Sequence, residues 1–272
     1  METGIQSTLL IDESNRQEHS LQAGSGKAWM HVSRYPLPEV EKTEDSAAVF
    51  HLGDNTSILA IADGFGGCRG GKQAAEIAIK TLEKYLRNHH SNGNELRTTI
   101  LDAFEEANKK VLDLGIGAAT TFVVVEINKN FARSYHVGDS IVQIVGQRGK
   151  LKYQTISHSP VGYAIESGSL EEKEAMHHDE RHIVSNMIGA SDMRIEIGPR
   201  IELSKRDTIL LASDGLTDNL HTNEITNIIR SGPVAQALEN LAKRASHRML
   251  SENGNTPSKP DDLSIILFRL GK

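Results

Sequence analysis

The chain has 272 residues, 38% of them hydrophobic and 24% charged, and 36 acidic side chains against 30 Lys and Arg leave a net charge of −6. Those proportions describe a globular chain with enough apolar residues for a core, and the lack of a basic block argues against a nucleic-acid binder. A single cysteine, Cys68, excludes an internal disulfide and fits a reducing cytoplasm.

Met1–Gly26 mixes Glu2, Asp12, Glu13, Arg16 and Glu18 with short apolar stretches, unlike the basic start and long apolar core of a secretory signal. No run approaches the ~20 apolar residues of a membrane span, so the expectation is a soluble, cytoplasmic protein. Residues 1–27 read as a partly flexible N-terminal extension and 28–272 as one domain, since no repeat or linker interrupts them.

The apolar run Ile58–Ala62 reads as a buried strand that delivers Asp63 into a turn crowded with Gly64, Gly66, Gly67, Gly70 and Gly71. Helical spacing of Ala75, Ala78, Ile79, Leu82 and Leu86 predicts a helix from Lys72 to Arg87. A second stripe, Leu96, Ile100, Ala103, Ala107, Val111 and Leu114, predicts a helix over Glu95–Leu114, antiparallel to the first across the loop-like Asn88–Asn94. The period then changes to that of strands at Thr120–Ile127, Ala132–Val137, Ile141–Val145 and Leu151–Tyr153, whose close spacing favours an antiparallel meander. Gly162–Asn186 is polar, with a short helix around Leu170–Met176. Strands follow at Arg194–Ile201 and Thr208–Ala212, helices at Asn223–Ile229 and Pro233–Leu250, and a final strand at Leu263–Leu270 after the loop Ser251–Pro260. Helices and strands in runs, rather than in alternation, indicate an α+β fold.

Four aspartate sites sit at strand edges: Asp63, Asp139 after Gly138, Asp214 after Thr208–Ser213, and the pair Asp261-Asp262 before the last strand. A lone Asp before Gly is ordinarily a turn residue that caps its own backbone. Asp-Gly directly after an apolar strand at both Asp63 and Asp214 is harder to assign to turns alone, and the set points to a shared centre. Hard divalent cations such as Mg²⁺ or Mn²⁺ take oxygen ligands, whereas zinc favours a His or Cys spacing not seen here. Two such ions can activate a water and stabilise an in-line displacement at phosphorus.

The series Ala62-Asp-Gly-Phe-Gly-Gly67, Val137-Gly-Asp-Ser140 and Leu211-Ala-Ser-Asp-Gly-Leu-Thr-Asp218 resembles, in order and separation, the motifs of the PP2C-type metal-dependent serine/threonine protein phosphatases. Gly117–Thr121 resembles the family's Gly-Thr-Thr strand entry, and Ile156–Gly168 its His-Ser stretch with a helix and Glu-x-Gly. The similarity spans about Ala28 to Leu270, nearly the whole chain, and resembles the compact bacterial members. It implies a sandwich of two antiparallel sheets flanked by pairs of helices, with two Mn²⁺ or Mg²⁺ ions at one edge and a third, looser ion in many members. It further implies hydrolysis of phosphoserine and phosphothreonine by direct attack of metal-bound hydroxide. By that resemblance Asp63 bridges the two ions and Gly64 offers its carbonyl to the second. Asp214 and Asp261 complete the first ion, and Glu44 and Asp45 hold metal-bound waters. Asp139 and Asp218 match ligands of the third. Asp45, Asp63 and Asp214 are accordingly the catalytic candidates. Phosphorylated proteins are the implied substrates, a Ser/Thr kinase of the same pathway a natural partner, and a monomer the default state.

The sequence departs from the family at several points. Val40 stands where an arginine usually grips the substrate phosphate, leaving Lys42 and Arg34, or Arg69, as substitutes. Phe65 occupies the place of a histidine proposed to protonate the leaving group in eukaryotic members, and His31, His51 and His158 earn no catalytic role. Asp261-Asp262 replaces Asp-Asn, so a one-residue slip would move the ligand role to Asp262. Cys68 lacks the arginine of a Cys-x5-Arg loop, and the glycine-rich stretch lacks a P-loop ending. Two other readings stay open: a phosphatase-like regulatory or binding module with weak turnover, and a hydrolase of smaller phosphoesters.

Overall fold

A computed structural model describes residues 5–11, 19–23, 26–36, 42–53, 55–65, 69–92, 95–251 and 257–271, excluding the side chains of 19–22 and 90–92. Val40, Gly66, Gly67 and Cys68, singled out in the sequence, lie outside the described residues. The chain begins with β1 (Gln6–Leu10), β2 (His19–Ala23), β3 (Gly26–Ser33), β4 (Ser46–Gly53) and β5 (Thr56–Ala62), followed by α1 (Gly71–Asn92) and α2 (Leu96–Asp113). Next come β6 (Phe122–Asn128), β7 (Phe131–Val137), β8 (Ile141–Val145) and β9 (Leu151–Gln154), then α3 (Pro160–Glu166), α4 (Glu172–Ala175) and a 3₁₀ turn at Asp179–His182. The remainder is β10 (Glu196–Ile197), β11 (Ile201–Glu202), β12 (Thr208–Ala212), α5 (Asp214–Thr217), α6 (Thr222–Ile229), α7 (Val234–Met249) and β13 (Leu263–Leu270).

Two antiparallel sheets result. One runs β1-β4-β5-β6-β7, with β10 and β11 both on the far edge of β7; the other runs β2-β3-β13-β12-β8-β9. The unbroken apolar run of β5 is explained by its position, because side chains alternate faces along a strand and here both faces are covered. Ile58, Ala60 and Ala62 pack beneath α1 and α2, while Leu59 and Ile61 enter the core shared with Val142, Ile209 and Phe268 of the second sheet. A third apolar layer joins Leu210, Ile265 and Leu267 to α6 and α7. The order is therefore helix pair, sheet, sheet, helix pair. Lys110 Nζ donates to Thr81 Oγ1 and His89 Nδ1 bonds Thr99 Oγ1, a register that makes α1 and α2 antiparallel.

Four details differ from the sequence reading. The helix starting near Lys72 continues through the polar Asn88–Asn92 stretch, where His89 is tied to α2. Arg194–Ile201 is not one strand but two short pieces, because Gly198 and Pro199 interrupt the ladder and proline has no N–H to donate. The four strands β6 to β9 form no single meander either: β6 and β7 stay in the first sheet, and the chain crosses to the second at Gly138–Ser140. Gly138 makes that crossing with φ +106°, and a Cβ there would lie 2.6 Å from Thr121. Gln6–Leu10 and His19–Ala23, within the stretch read as an extension, are outer strands of the two sheets.

Candidate metal centre

The aspartates predicted from the sequence are delivered to the same edge of the sandwich by strand ends, a crossover and the short helix α5. Asp63 leaves β5, its N–H donating to Thr121 Oγ1 and its carbonyl accepting from Thr121 N–H and Thr120 Oγ1. Asp139 sits in the crossover between the sheets, Asp214 opens α5 directly after β12, Asp218 ends α5, and Asp261 precedes β13. Asp45 lies just before β4 and is buried.

Electrostatics identify these groups as one cluster. Burial pushes Asp63 well above the usual carboxylate range, reinforced by Asp45, Asp214, Asp261 and Asp139. Asp45 is raised likewise by burial and by Asp262 and Asp261, against the favourable hydroxyls of Ser264 and Ser213. Burial, then Asp214 and Asp218, raise Asp139 to about 8. Burial and Asp214 raise Asp261 to about 7 and Asp218 to about 6. Packing so many anions costs stability unless cations join them.

One cation comes from the chain itself. Lys259 Nζ contacts Asp214, lies 2.8 Å from Asp218 Oδ2 and 3.2 Å from Asp261 Oδ2. Burial opposes its charge, but the three carboxylates outweigh burial and raise its pKa. Sequence reasoning missed Lys259, because the loop Ser251–Pro260 carries no periodic signal that would aim it at residues 41 and 45 positions away.

The two candidates at 261 and 262 separate cleanly. Asp262 Oδ1 accepts from Tyr35 N–H at 2.6 Å and Oδ2 from Glu44 N–H at 2.5 Å, so it pins the segment before β4. Asp261 instead turns toward Lys259 and Asp214. Glu44 accepts from the Lys72 backbone N–H at the start of α1, with burial raising its pKa. Gly64 passes between these elements: a Cβ on it would stand 2.5 Å from Gly71 and 2.8 Å from the Glu44 carbonyl, so only glycine fits.

A cleft of about 340 Å³ beside the cluster is lined by Lys42, Glu44, Lys72, Asp261 and Asp262. Lys42 thus reaches the cleft, whereas Arg34 is not part of its lining. Lys72 was read only as a helix start. On the other side, Asp139, Asp214 and Asp218 border a cavity of about 130 Å³ roofed by α3 and α4, with Arg181 at its wall.

The donors fit divalent cations. The Ser213 and Ser264 hydroxyls lie near buried Asp45, but among the described residues neither of its carboxylate oxygens receives a hydrogen bond of good geometry, a costly state that an oxygen-seeking ion would relieve. Elsewhere, His136, His158 and Glu196 bring ligand-type atoms within 4.8 Å of one another. His158 Nδ1 accepts from Gly138 N–H and Asn186 Nδ2, which leaves Nε2–H to donate to Glu196; His136 Nε2 donates to the Ile156 carbonyl. The two rings are stacked at 4.4 Å with 19° between their planes, so their lone pairs lie in near-parallel planes that no single ion shares. Burial first, and His158 next, lower His136 to about 4. This stacked pair braces Gly138, and hence the Asp139 crossover.

A family model for protein phosphatase 2C matches residues 40–253. Protein phosphatase PhpP of Streptococcus pneumoniae is 33% identical over 202 residues, covering 70% of this chain and 80% of its own. Serine/threonine phosphatase stp of Listeria welshimeri is 30% identical over 234 residues, covering 82% and 88%. Among solved structures, the S. agalactiae serine/threonine phosphatase superposes with TM-score 0.74 at 24% identity over 98% of this chain and all of its own. The catalytic domain of PstP in complex with two manganese ions superposes with TM-score 0.72 at 20% identity, covering 91% and 99%. The chain belongs to the protein phosphatase 2C family. That membership favours a protein phosphatase over the phosphatase-like binding module. Among the described residues no helix is long and apolar enough to cross a membrane.

Proposed function

We propose that this chain removes phosphate from phosphoserine and phosphothreonine in proteins, using Mn²⁺ or Mg²⁺ held by its aspartate cluster. The observation that carries the reading is the convergence of Asp45, Asp63, Asp139, Asp214, Asp218 and Asp261, with the oxygens of Asp45 left unsatisfied. Asp63, Asp214, Asp261 and the Gly64 carbonyl would hold two ions, Glu44 and Asp45 their waters, and Asp139 with Asp218 a third. When bound, such ions supply a nucleophilic water at neutral pH and offset the charge of the phosphate.

The remaining work falls to the chain. Lys72 and Lys42 line the cleft beside Asp261 and give the phosphate a positive wall in place of the arginine absent at position 40. Both are point charges without a planar fork, which fits a loosely held phosphate. Tyr163, Ile165 and Ile183 are exposed on the segment beside the cluster. They offer apolar contact to residues flanking the phosphorylated side chain, which favours a protein over a small phosphoester. The single cysteine and the family membership are in keeping with a cytoplasmic regulator that opposes a Ser/Thr kinase.

The test is metal-dependent phosphate release from a phosphothreonine peptide, wild type against Asp63→Asn, with metal binding followed by calorimetry. Loss of a group on which the charge compensation depends should lower kcat by about a hundredfold or more. Wild-type metal binding without turnover would reject the proposal, and unchanged activity in Asp63→Asn would reject the site.

A further inference from the structure

The end of the second sheet remote from the carboxylates collects positive charge. Lys27 of β3 pairs in register with Arg269 of β13, on the face that α6 and α7 cover. Like charges directly across an antiparallel pair repel. Arg206, in the turn entering β12, and Arg230, at the end of α6, close on the same place. With Trp29 and the Gly232 turn they line a cavity of about 340 Å³, and among the described residues no carboxylate lines it. In a chain of net charge −6, this gathering does not follow from a general excess of base.

Arg269 is held in place without being neutralised. Its Nε donates to Thr208 Oγ1 at 3.0 Å, Nη2 to the Ile229 carbonyl at 2.8 Å and Nη1 to the Gly232 carbonyl. All three acceptors are uncharged, and a guanidinium has five N–H groups, so two stay available. Burial and the nearby Arg206 lower its pKa. Arg230 has its Nε buried without a hydrogen-bond partner among the described residues. Trp29 packs on the apolar layer beneath α7 and also walls the cavity.

We infer that this cavity binds a nucleoside phosphate. Guanidinium forks match phosphate oxygens, Trp29 provides a ring on which a base can stack, and the volume lies within the range of small-molecule sites. Arg269 lies eight positions along the chain from Asp261, most of them in the extended β13, which sets them roughly 25 Å apart at ~3.3 Å per residue. The cavity is thus no part of the metal centre.

Trp29 is the only tryptophan in the chain, so its emission reports this cavity directly. The experiment titrates the full chain with ADP, pyrophosphate and adenosine in the presence of a chelator, which keeps the aspartate cluster from holding phosphate through metal. The expected result is a saturable change with ADP, weaker binding of pyrophosphate and no response to adenosine, with Arg230→Gln and Lys27→Gln each weakening ADP about tenfold. Circular dichroism checks that both variants fold, and Arg206→Gln, at an exposed turn, serves as a third. A flat ADP titration, or an ADP affinity unmoved in all folded variants, overturns the site. Pyrophosphate binding as tightly as ADP overturns the nucleoside class.

Discussion

Strands β12 and β13 carry opposite charge at their two ends, and the contrast shows two ways of keeping like charges together. At one end Asp214, Asp218 and Asp261 crowd around Lys259, an internal counter-charge. At the other, Lys27, Arg206, Arg230 and Arg269 line one cavity with no carboxylate among the described residues that line it, and Arg269 is held by neutral carbonyls and a hydroxyl. The acidic end is buried, so its repulsion acts through a low dielectric and appears as large upward shifts. The basic end is wetter, and its repulsion is weaker.

Removing the internal cation should separate the two ends most. Lys259→Met leaves three carboxylates facing one another without a competitor for incoming metal. We expect a lower melting temperature in chelator, with Mn²⁺ binding at least about tenfold tighter, a gain of ~1.4 kcal/mol. Calorimetry would break the comparison if affinity stayed the same.

Next in size is the response to pH. The folded values of about 8 for Asp139, 7 for Asp261 and 6 for Asp218 lie above an unfolded value near 3.8. The native state therefore holds more protons than the unfolded one in between, and stability falls as pH rises through roughly 4 to 8. Melting curves in chelator should drop across that window, and saturating Mn²⁺ should flatten the trend. A metal-free protein that gained stability with pH would contradict the cluster.

Phosphate binding should respond more modestly. Lys72→Ala should raise KM severalfold with little change in kcat, as expected when a contact is equal in ground and transition states. Arg34→Ala, outside the cleft lining, should leave KM alone. The smallest effect belongs to the basic end: Lys27→Gln relieves a cross-strand repulsion and should stabilise the fold by about 0.2–1 kcal/mol in low salt, an increment that salt should erase.

Much of this was legible in the sequence where chemistry and local pattern coincide. Asp63 and Asp214 each follow an apolar strand and precede a glycine, so both position and permissive backbone are written locally. Ile141–Val145, Thr208–Ala212 and Leu263–Leu270 have the bounds their apolar runs imply. What was not legible depends on long-range placement. Lys259 sits in a polar loop, Lys72 looks like any helix start, and His158 becomes a brace only because Gly138 crosses between sheets beside it. The basic cavity is assembled from single residues on β3, β13, α6 and the turn before β12, so no window of sequence contains it.

The place of β13 has a consequence for synthesis. It lies between β3 and β12 in the middle of its sheet, although it is the last element of the chain described. Asp261 and Asp262 arrive with it, and Asp262 is what fastens the backbone of Tyr35 and Glu44. A chain emerging from the ribosome would have to expose β13 before the second sheet could close. Cutting the chain before Asp261 would therefore remove the central strand of the second sheet together with Asp261 and Asp262, leaving no centre rather than a weaker one.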